Sequence, residues 1–194
     1  MHAFRKYILA YSNISKEDWA LIEANLQKRI YEPGELILEE GQICRKLYFL
    51  EAGFLRFFVD REGETVTKFF TKAPYCFTAQ KSLTQEIPTK DNIEVLQQAL
   101  IWEMSKTDAF ELFKLPKWSE FVRKLIQEVQ FNTEEILESL QNDTAEERYI
   151  RMIEENDTIL QKAPLKHIAS YLGIAPQSLS RIRKKYANAK RKLT

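Results

Sequence analysis

LKHIASYLGIAPQSLSRIRKKY, residues 165–186, decides how the rest of the chain is read. Leu165, Ile168, Ala169 and Leu172 fall at helical spacing and stop at Gly173, which can close a helix in the left-handed conformation without a Cβ penalty. Gly173-Ile174-Ala175 makes a short turn. Pro176 suits a first helical position, and Leu179, Ile182 and Tyr186 form a second apolar stripe at three- and four-residue steps. Two helices joined so tightly must pack on each other: small Ala169 admits the second helix, while Ile174, Leu179 and Ile182 fill the angle. The spacing predicts a helix-turn-helix whose second helix spans 176–187 and whose free face carries Gln177, Ser178, Arg181, Lys184 and Lys185.

Those side chains suit a nucleic acid, because Arg pairs in bidentate fashion with guanine edges, Gln with adenine edges, and Lys and Ser reach phosphates. Lys166, on the first helix, joins them as a phosphate contact. Charge is distributed to match. From Gln161 to Thr194 there are nine Lys or Arg and no Asp or Glu, so 29 basic residues less these nine leave 20 against all 28 acids in residues 1–160. A near-neutral total hides an acidic body and a cationic tail, the electrostatic footprint of a polyanion binder. The alternative is a two-helix hairpin with a solvated basic face.

The chain of 194 residues, 44% hydrophobic and 29% charged, has the balance of a soluble globular protein of one or two domains. It has no run of 18 apolar residues, and the apolar patch in MHAFRKYILAYSN is too short for a signal peptide, so a cytoplasmic protein without membrane contact is expected. Cys44 and Cys76 form neither a disulfide framework nor a metal-binding pair and read as buried thiols. An enzyme is not expected. A metal-dependent barrel site needs several histidines, yet none lies between Ala3 and Lys166, and no P-loop, nucleophile elbow or GxGxxG occurs.

Taken in order, Ser15 to Asp18 resembles a capping box opening a helix from about Lys16 to Lys28. A short helical segment precedes it, with Phe4, Tyr7, Ile8 and Leu9 available to dock on the strand-rich region. From Arg29 the grammar is that of strands: Ile30-Tyr31, Leu36 to Leu38, Leu47 to Leu50, Phe54 to Val59, a hairpin turn at 60–63, Thr65 to Phe70, and Ile93 to Met104, separated by Gly or Pro. No crossover helix fits between them, which predicts an antiparallel roll or barrel. Ser105 caps a brief helix through Leu112, and Lys114-Leu115-Pro116 breaks it. A long helix follows from about Lys117 to Leu140, with Trp118, Val122, Leu125, Val129, Asn132 and Ile136 as a heptad seam holding one polar position. Such a seam predicts a homodimer. Packing on the roll of the same chain is the alternative, for which Phe121, Ile126 and Leu137, off the seam, are better placed. Asp143 is the expected N-cap of a helix from Thr144 to about Glu155, with Tyr149, Ile150 and Ile153 inward and 157–163 as a connection.

A strand-rich roll, a long heptad helix and a helix-turn-helix together resemble the cyclic-AMP receptor protein and FNR (CRP/FNR) superfamily of transcription regulators. The resemblance covers nearly the whole chain. It is carried by Tyr31-Glu32-Pro33-Gly34-Glu35-Leu36-Ile37 with Glu40-Gly41, by residues 47–56 (LYFLEAGFLR), and by Leu179-Ser180-Arg181-Ile182. It implies an α+β chain: a double-stranded β-helix (jelly-roll) sensor of the cyclic-nucleotide-binding type over 1–115, a dimerisation helix over 116–141, and a DNA-binding helix-turn-helix domain over 142–194. It also implies a homodimer on a palindromic DNA operator, with Gln177 and Arg181 at the family's base-reading positions and RNA polymerase as a further partner. Pro176 stands at another such position, where a donor is common in the family.

The sensor half departs from that pattern. Relatives that bind cyclic nucleotides carry a Gly-Glu pair and an Arg followed by Ser or Thr, but between Pro74 and Leu100 this chain has no Gly or Arg, and Lys81 and Lys90 are its only cations there. Weak or absent cyclic AMP binding is therefore expected. The FNR cysteine quartet for an iron–sulfur cluster is missing, and no histidine is placed for haem, with His2 at the terminus and His167, expected to be exposed or near a phosphate, in the DNA-binding motif. No cofactor is predicted. A sensor acting through protein partners instead of DNA is the alternative function. Residues 187–194, in place of the family's β-hairpin wing, read as a disordered phosphate-binding arm.

Overall fold

The computed structural model describes residues 1–191, and the side chains of all but 155–158, 160 and 189–191. In chain order the elements are α1 (Ala3–Leu9), α2 (Lys16–Glu23), β1 (Gln27–Tyr31), β2 (Leu36–Leu38), β3 (Lys46–Arg61), β4 (Glu64–Lys72), β5 (Tyr75–Phe77), α3 (Gln80–Gln85), β6 (Asn92–Ser105), α4 (Lys106–Glu111), a 3₁₀ turn at Leu112–Lys114, α5 (Pro116–Asn142), α6 (Ala145–Lys162), α7 (Leu165–Leu172) and α8 (Pro176–Arg191).

All strand pairings are antiparallel, in the order β1-β6-β3-β4, with β2 also on β6 and β5 also on β3. The fold is the expected α+β arrangement of an antiparallel roll followed by helices. Strand β3 is its spine, and successive side chains explain why. Tyr48, Leu50, Leu55 and Phe57 fill the interior of the roll, whereas Phe49 and Phe54 face the other way into two separate helical clusters. Phe49 meets α1, α2 and the start of α5, where Phe4, Trp19, Trp118 and Phe121 are buried around it. Phe54 meets α6, α7 and α8. One strand thus carries the core of the roll and anchors both helical layers.

The structure departs from the sequence pattern at several places. Helix α2, capped by Ser15 Oγ at 2.9 Å from the Asp18 amide, stops at Glu23 because residues 27–31 pair with β6. Gly53 does not separate two strands; it sits at a register shift inside β3, between the pairs Ala52–Leu100 and Phe54–Gln97. Strand β5 and helix α3 have no signature in the sequence. Their three and six residues are too short for periodicity, and β5 is defined by pairing with Tyr48 to Leu50. Thr144, not Asp143, caps α6: its hydroxyl accepts from the Glu147 amide at 3.2 Å while Glu147 accepts the Thr144 amide at 2.8 Å. That helix runs on to Lys162, through most of the residues read as a connection. Met152 joins Tyr149 in its buried face.

Candidate nucleic-acid interface

The helix-turn-helix is built as its spacing dictates. Gly173 adopts φ +70°, its amide bonds to the Ser170 carbonyl at 3.1 Å, and the Ile174 amide reaches back to the Ala169 carbonyl at 3.0 Å. This is a Schellman closure, which satisfies two end-of-helix carbonyls of α7. Helix α8 then starts on Ala175, whose carbonyl accepts the Leu179 amide. Leu179 has no exposed surface, and its burial among Tyr149, Ile168 and Leu172 contributes about 1.5–3 kcal/mol to holding the second helix against the first. With Leu179 and Ile182 turned inward, the opposite face of α8 is fixed outward.

On that face Gln177, Arg181, Lys184 and Lys185 are exposed and Ser178 is half-buried, while Lys166 is exposed in the first turn of α7. Lys185 is already paired, its Nζ lying 2.7 Å from Glu146 on α6. Arg183 lies beside Tyr149. The helix continues to Arg191, so the arm expected from Ala187 is helical over its first residues; Lys192 to Thr194 lie outside the described residues.

The sequence does not reveal how α7 is held on the roll. Ser170 Oγ accepts the Thr67 amide at 2.9 Å and donates to the Thr65 carbonyl at 3.0 Å, closing the open edge of β4. Tyr171 packs on Phe70 with ring centroids 5.8 Å apart. Beneath them Arg56 is buried, donating to Thr67 Oγ1 at 2.9 Å, Thr65 Oγ1 at 2.8 Å and Glu94 Oε2 at 3.1 Å. Burial lowers its pKa, and Glu94 offsets part of that shift. His167, expected at the surface, is instead only 7% exposed, because the start of α7 turns it toward Arg56 and Glu94 on the roll.

Burial, followed by the nearby Arg56 cation, lowers the His167 pKa from 6.5 to about 4. Unfolded chains therefore take up the proton first as pH falls, and the stabilisation from keeping this ring neutral, complete above pH 6.5, is lost toward pH 4. A His167→Gln chain should lose about 2–3 kcal/mol less stability than the native chain between pH 7 and pH 4, measured by urea unfolding. Equal losses would show that the ring is protonated in the folded state.

The long helix divides its apolar stripe between two surroundings. Trp118 cannot belong to an intermolecular seam: it has no exposed surface, and its Nε1 donates to the Ala109 carbonyl at 3.1 Å. The first turn of α5 lies against α4 and α1, so the periodic stripe begins inside the chain's own core. Val122 and Leu125 are half-buried on the same cluster, whereas Val129 and Ile136 are exposed and so is Asn132. Phe121 packs on the roll as expected, but Ile126 and Leu137 do not; they are 47% and 53% exposed. The bare apolar surface thus continues from half-buried Val122 through Ile126, Val129, Thr133, Ile136 and Leu140, a heptad series sharing three positions with the predicted one and leaving Asn132 at its margin.

A cyclic phosphate held in the roll needs a guanidinium, an ammonium or free hydroxyl and amide donors. Lys81 and Lys90 are exposed, Arg56 is committed to Thr65, Thr67 and Glu94, and the buried Ser82 hydroxyl is committed to the Cys44 amide and the Ile87 carbonyl. These residues do not fit a cyclic nucleotide phosphate.

Comparison with known proteins places this architecture. Residues 28–115 match the family model of the cyclic nucleotide-binding domain. A curated relative, the cAMP-dependent protein kinase regulatory subunit of Debaryomyces hansenii, is 24% identical over 104 residues, 54% of this chain, and the chain spans only 22% of that protein's length. Two solved structures align over almost the whole chain. The c-di-GMP responsive global regulator CLP of Xanthomonas campestris is 12% identical, with 91% of this chain and 93% of that one covered and a TM-score of 0.73. A transcriptional regulator of the crp/fnr family from Eubacterium rectale is 17% identical, with 91% and 85% covered and a TM-score of 0.72. Residues 28–115 are thus similar to the cyclic nucleotide-binding domain, and the chain as a whole has the fold of the CRP/FNR transcription regulators.

Proposed function

We propose that the chain is a homodimeric, sequence-specific DNA-binding transcription regulator of the cytoplasm that places the α8 helix of each protomer in the major groove of a palindromic operator. One observation carries the reading: Gln177, Arg181 and Lys184 stand exposed on a single face of α8, while Leu179 locks the opposite face into the core. The bare stripe on α5 supplies the second element, a surface on which an identical helix can pair. Among the described residues no helix is long and apolar enough to cross a membrane. RNA polymerase is a partner in this reading, and the chain is not an enzyme. In this reading the roll takes neither cyclic AMP, for which it lacks a phosphate-binding cation, nor an iron–sulfur cluster or haem, for which the sequence offers no cysteine quartet and no histidine besides His2 and His167.

Duplex binding should weaken steeply with salt, and Arg181→Ala should cost about 1–3 kcal/mol on the preferred duplex while relaxing base preference at one position of each half-site. Uniform weakening on all duplexes would make Arg181 a phosphate contact. Affinity indifferent to salt would contradict the reading as a whole.

A further inference from the structure

The roll is not closed at the side where it meets α4 and α5. A cavity of about 330 Å³ opens there. Its inner wall is aromatic: Phe57 and Phe69 stack with centroids 4.1 Å apart, and Phe77 stands edge-on to Phe57 at 5.7 Å. Phe110 and Phe113 form a second wall, and Val122, Ile126 and Val129 of α5 a third. In a chain with 29% charged residues, not one Asp, Glu, Lys, Arg or His lines it. Polar character is confined to Tyr75, Cys76, Thr78, Gln80 and Thr84. Burial raises the pKa of both the Tyr75 phenol and the Cys76 thiol, which keeps the lining neutral.

We propose that this cavity binds an uncharged small molecule that is mainly aromatic or hydrocarbon. An ion entering it would lose its hydration and find no counter-charge, a cost of several kcal/mol, whereas an apolar molecule would gain from every contact. The volume lies at the lower end of the roughly 300–1,000 Å³ typical of small-molecule sites. It is too small for an α-helix of a second copy, which is about 10 Å across. The Thr78 and Thr84 hydroxyls already donate to the Lys46 and Gln80 carbonyls at 2.9 and 2.8 Å, which leaves the Gln80 amide as the group suited to orienting one polar substituent. Two wall residues, Ile126 and Val129, also belong to the bare stripe of α5, so occupancy bears directly on the helix proposed to pair; this consequence rests on the dimer reading.

The test uses the full chain without DNA and the neutral dye N-phenyl-1-naphthylamine. Saturable fluorescence enhancement with one site per chain is expected. Phe113→Glu, which places a carboxylate on the wall, should weaken dye binding about ten-fold or more, whereas Leu21→Lys, exposed on α2 away from both the cavity and the stripe, should leave it unchanged. Both positions are exposed, so both variants should keep the native melting temperature. Dye binding should also shift the dimerisation midpoint in sedimentation. Non-saturating binding, equal binding by Phe113→Glu, exclusion of the dye from the dimer alone, or a micromolar calorimetric site for cyclic AMP would each overturn the proposal. An unmoved midpoint would overturn its coupling to α5. Failure to bind DNA would count against the regulator reading and leave the dye result standing.

Discussion

Gly53→Ala should destabilise the protein by about 3–5 kcal/mol, combining strain at a special backbone conformation with overpacking. Gly53 has φ +118°, and a Cβ placed on it would come within 2.7 Å of the Ala99 Cα, 2.8 Å of its Cβ and 2.9 Å of the Gln98 carbonyl oxygen. Two of these three atoms are backbone of β6, so a rotamer change cannot relieve the overlap. Moving β6 would disturb the register that joins β3 to it on both sides of the bulge. Gly173→Ala provides the comparison. It too has positive φ, +70°, yet no atom lies within 4 Å of the added methyl, so only the conformational cost of about 1 kcal/mol remains. Urea unfolding of the two variants should show this ordering; equal losses would mean that the β3–β6 contact yields.

The second large effect concerns α5. Val129→Glu with Ile136→Glu should leave a monomer whose affinity for an operator is about 10²–10⁴-fold weaker, because the second half-site then no longer binds as part of one linked unit. Both side chains are exposed within the chain, so the variant's own unfolding free energy should change by no more than about 0.5 kcal/mol each. Trp118→Ala should behave in the opposite way. It empties a fully buried site and costs about 3–5 kcal/mol of stability, with no direct loss of an intermolecular contact. Sedimentation and unfolding measured together separate the two. A double glutamate variant that remains a dimer would place the interface elsewhere.

The difference between these variants shows what periodicity can and cannot report. The spacing of Trp118, Val122, Leu125 and Val129 correctly identifies an apolar face of α5, but a face is a property of one helix, while its covering depends on which neighbours the fold brings near. Here α4 and α1 cover the first turns and nothing among the described residues covers the last. His167 illustrates the same limit. Its neighbours in sequence are lysine and isoleucine, and only the docking of α7 on β4, through Ser170, turns it into the interface with Arg56. By contrast, the helix-turn-helix is legible from residues alone, since Ala169, Gly173, Leu179 and Ile182 interact within a span short enough for local chemistry to dictate the geometry. Most strands are legible for a similar reason, being β-branched and aromatic runs punctuated by Gly and Pro. Gly53 is easily misread because a glycine within a strand and a glycine between strands look identical until the partner strand is known.

The most direct measurement is selection of bound duplexes from a random pool by the full-length protein. The proposed pairing of α8 helices predicts enrichment of a palindrome, with half-site centres about ten base pairs, or roughly 34 Å, apart. Enrichment of a single unpaired half-site, or of no sequence at all, would contradict it.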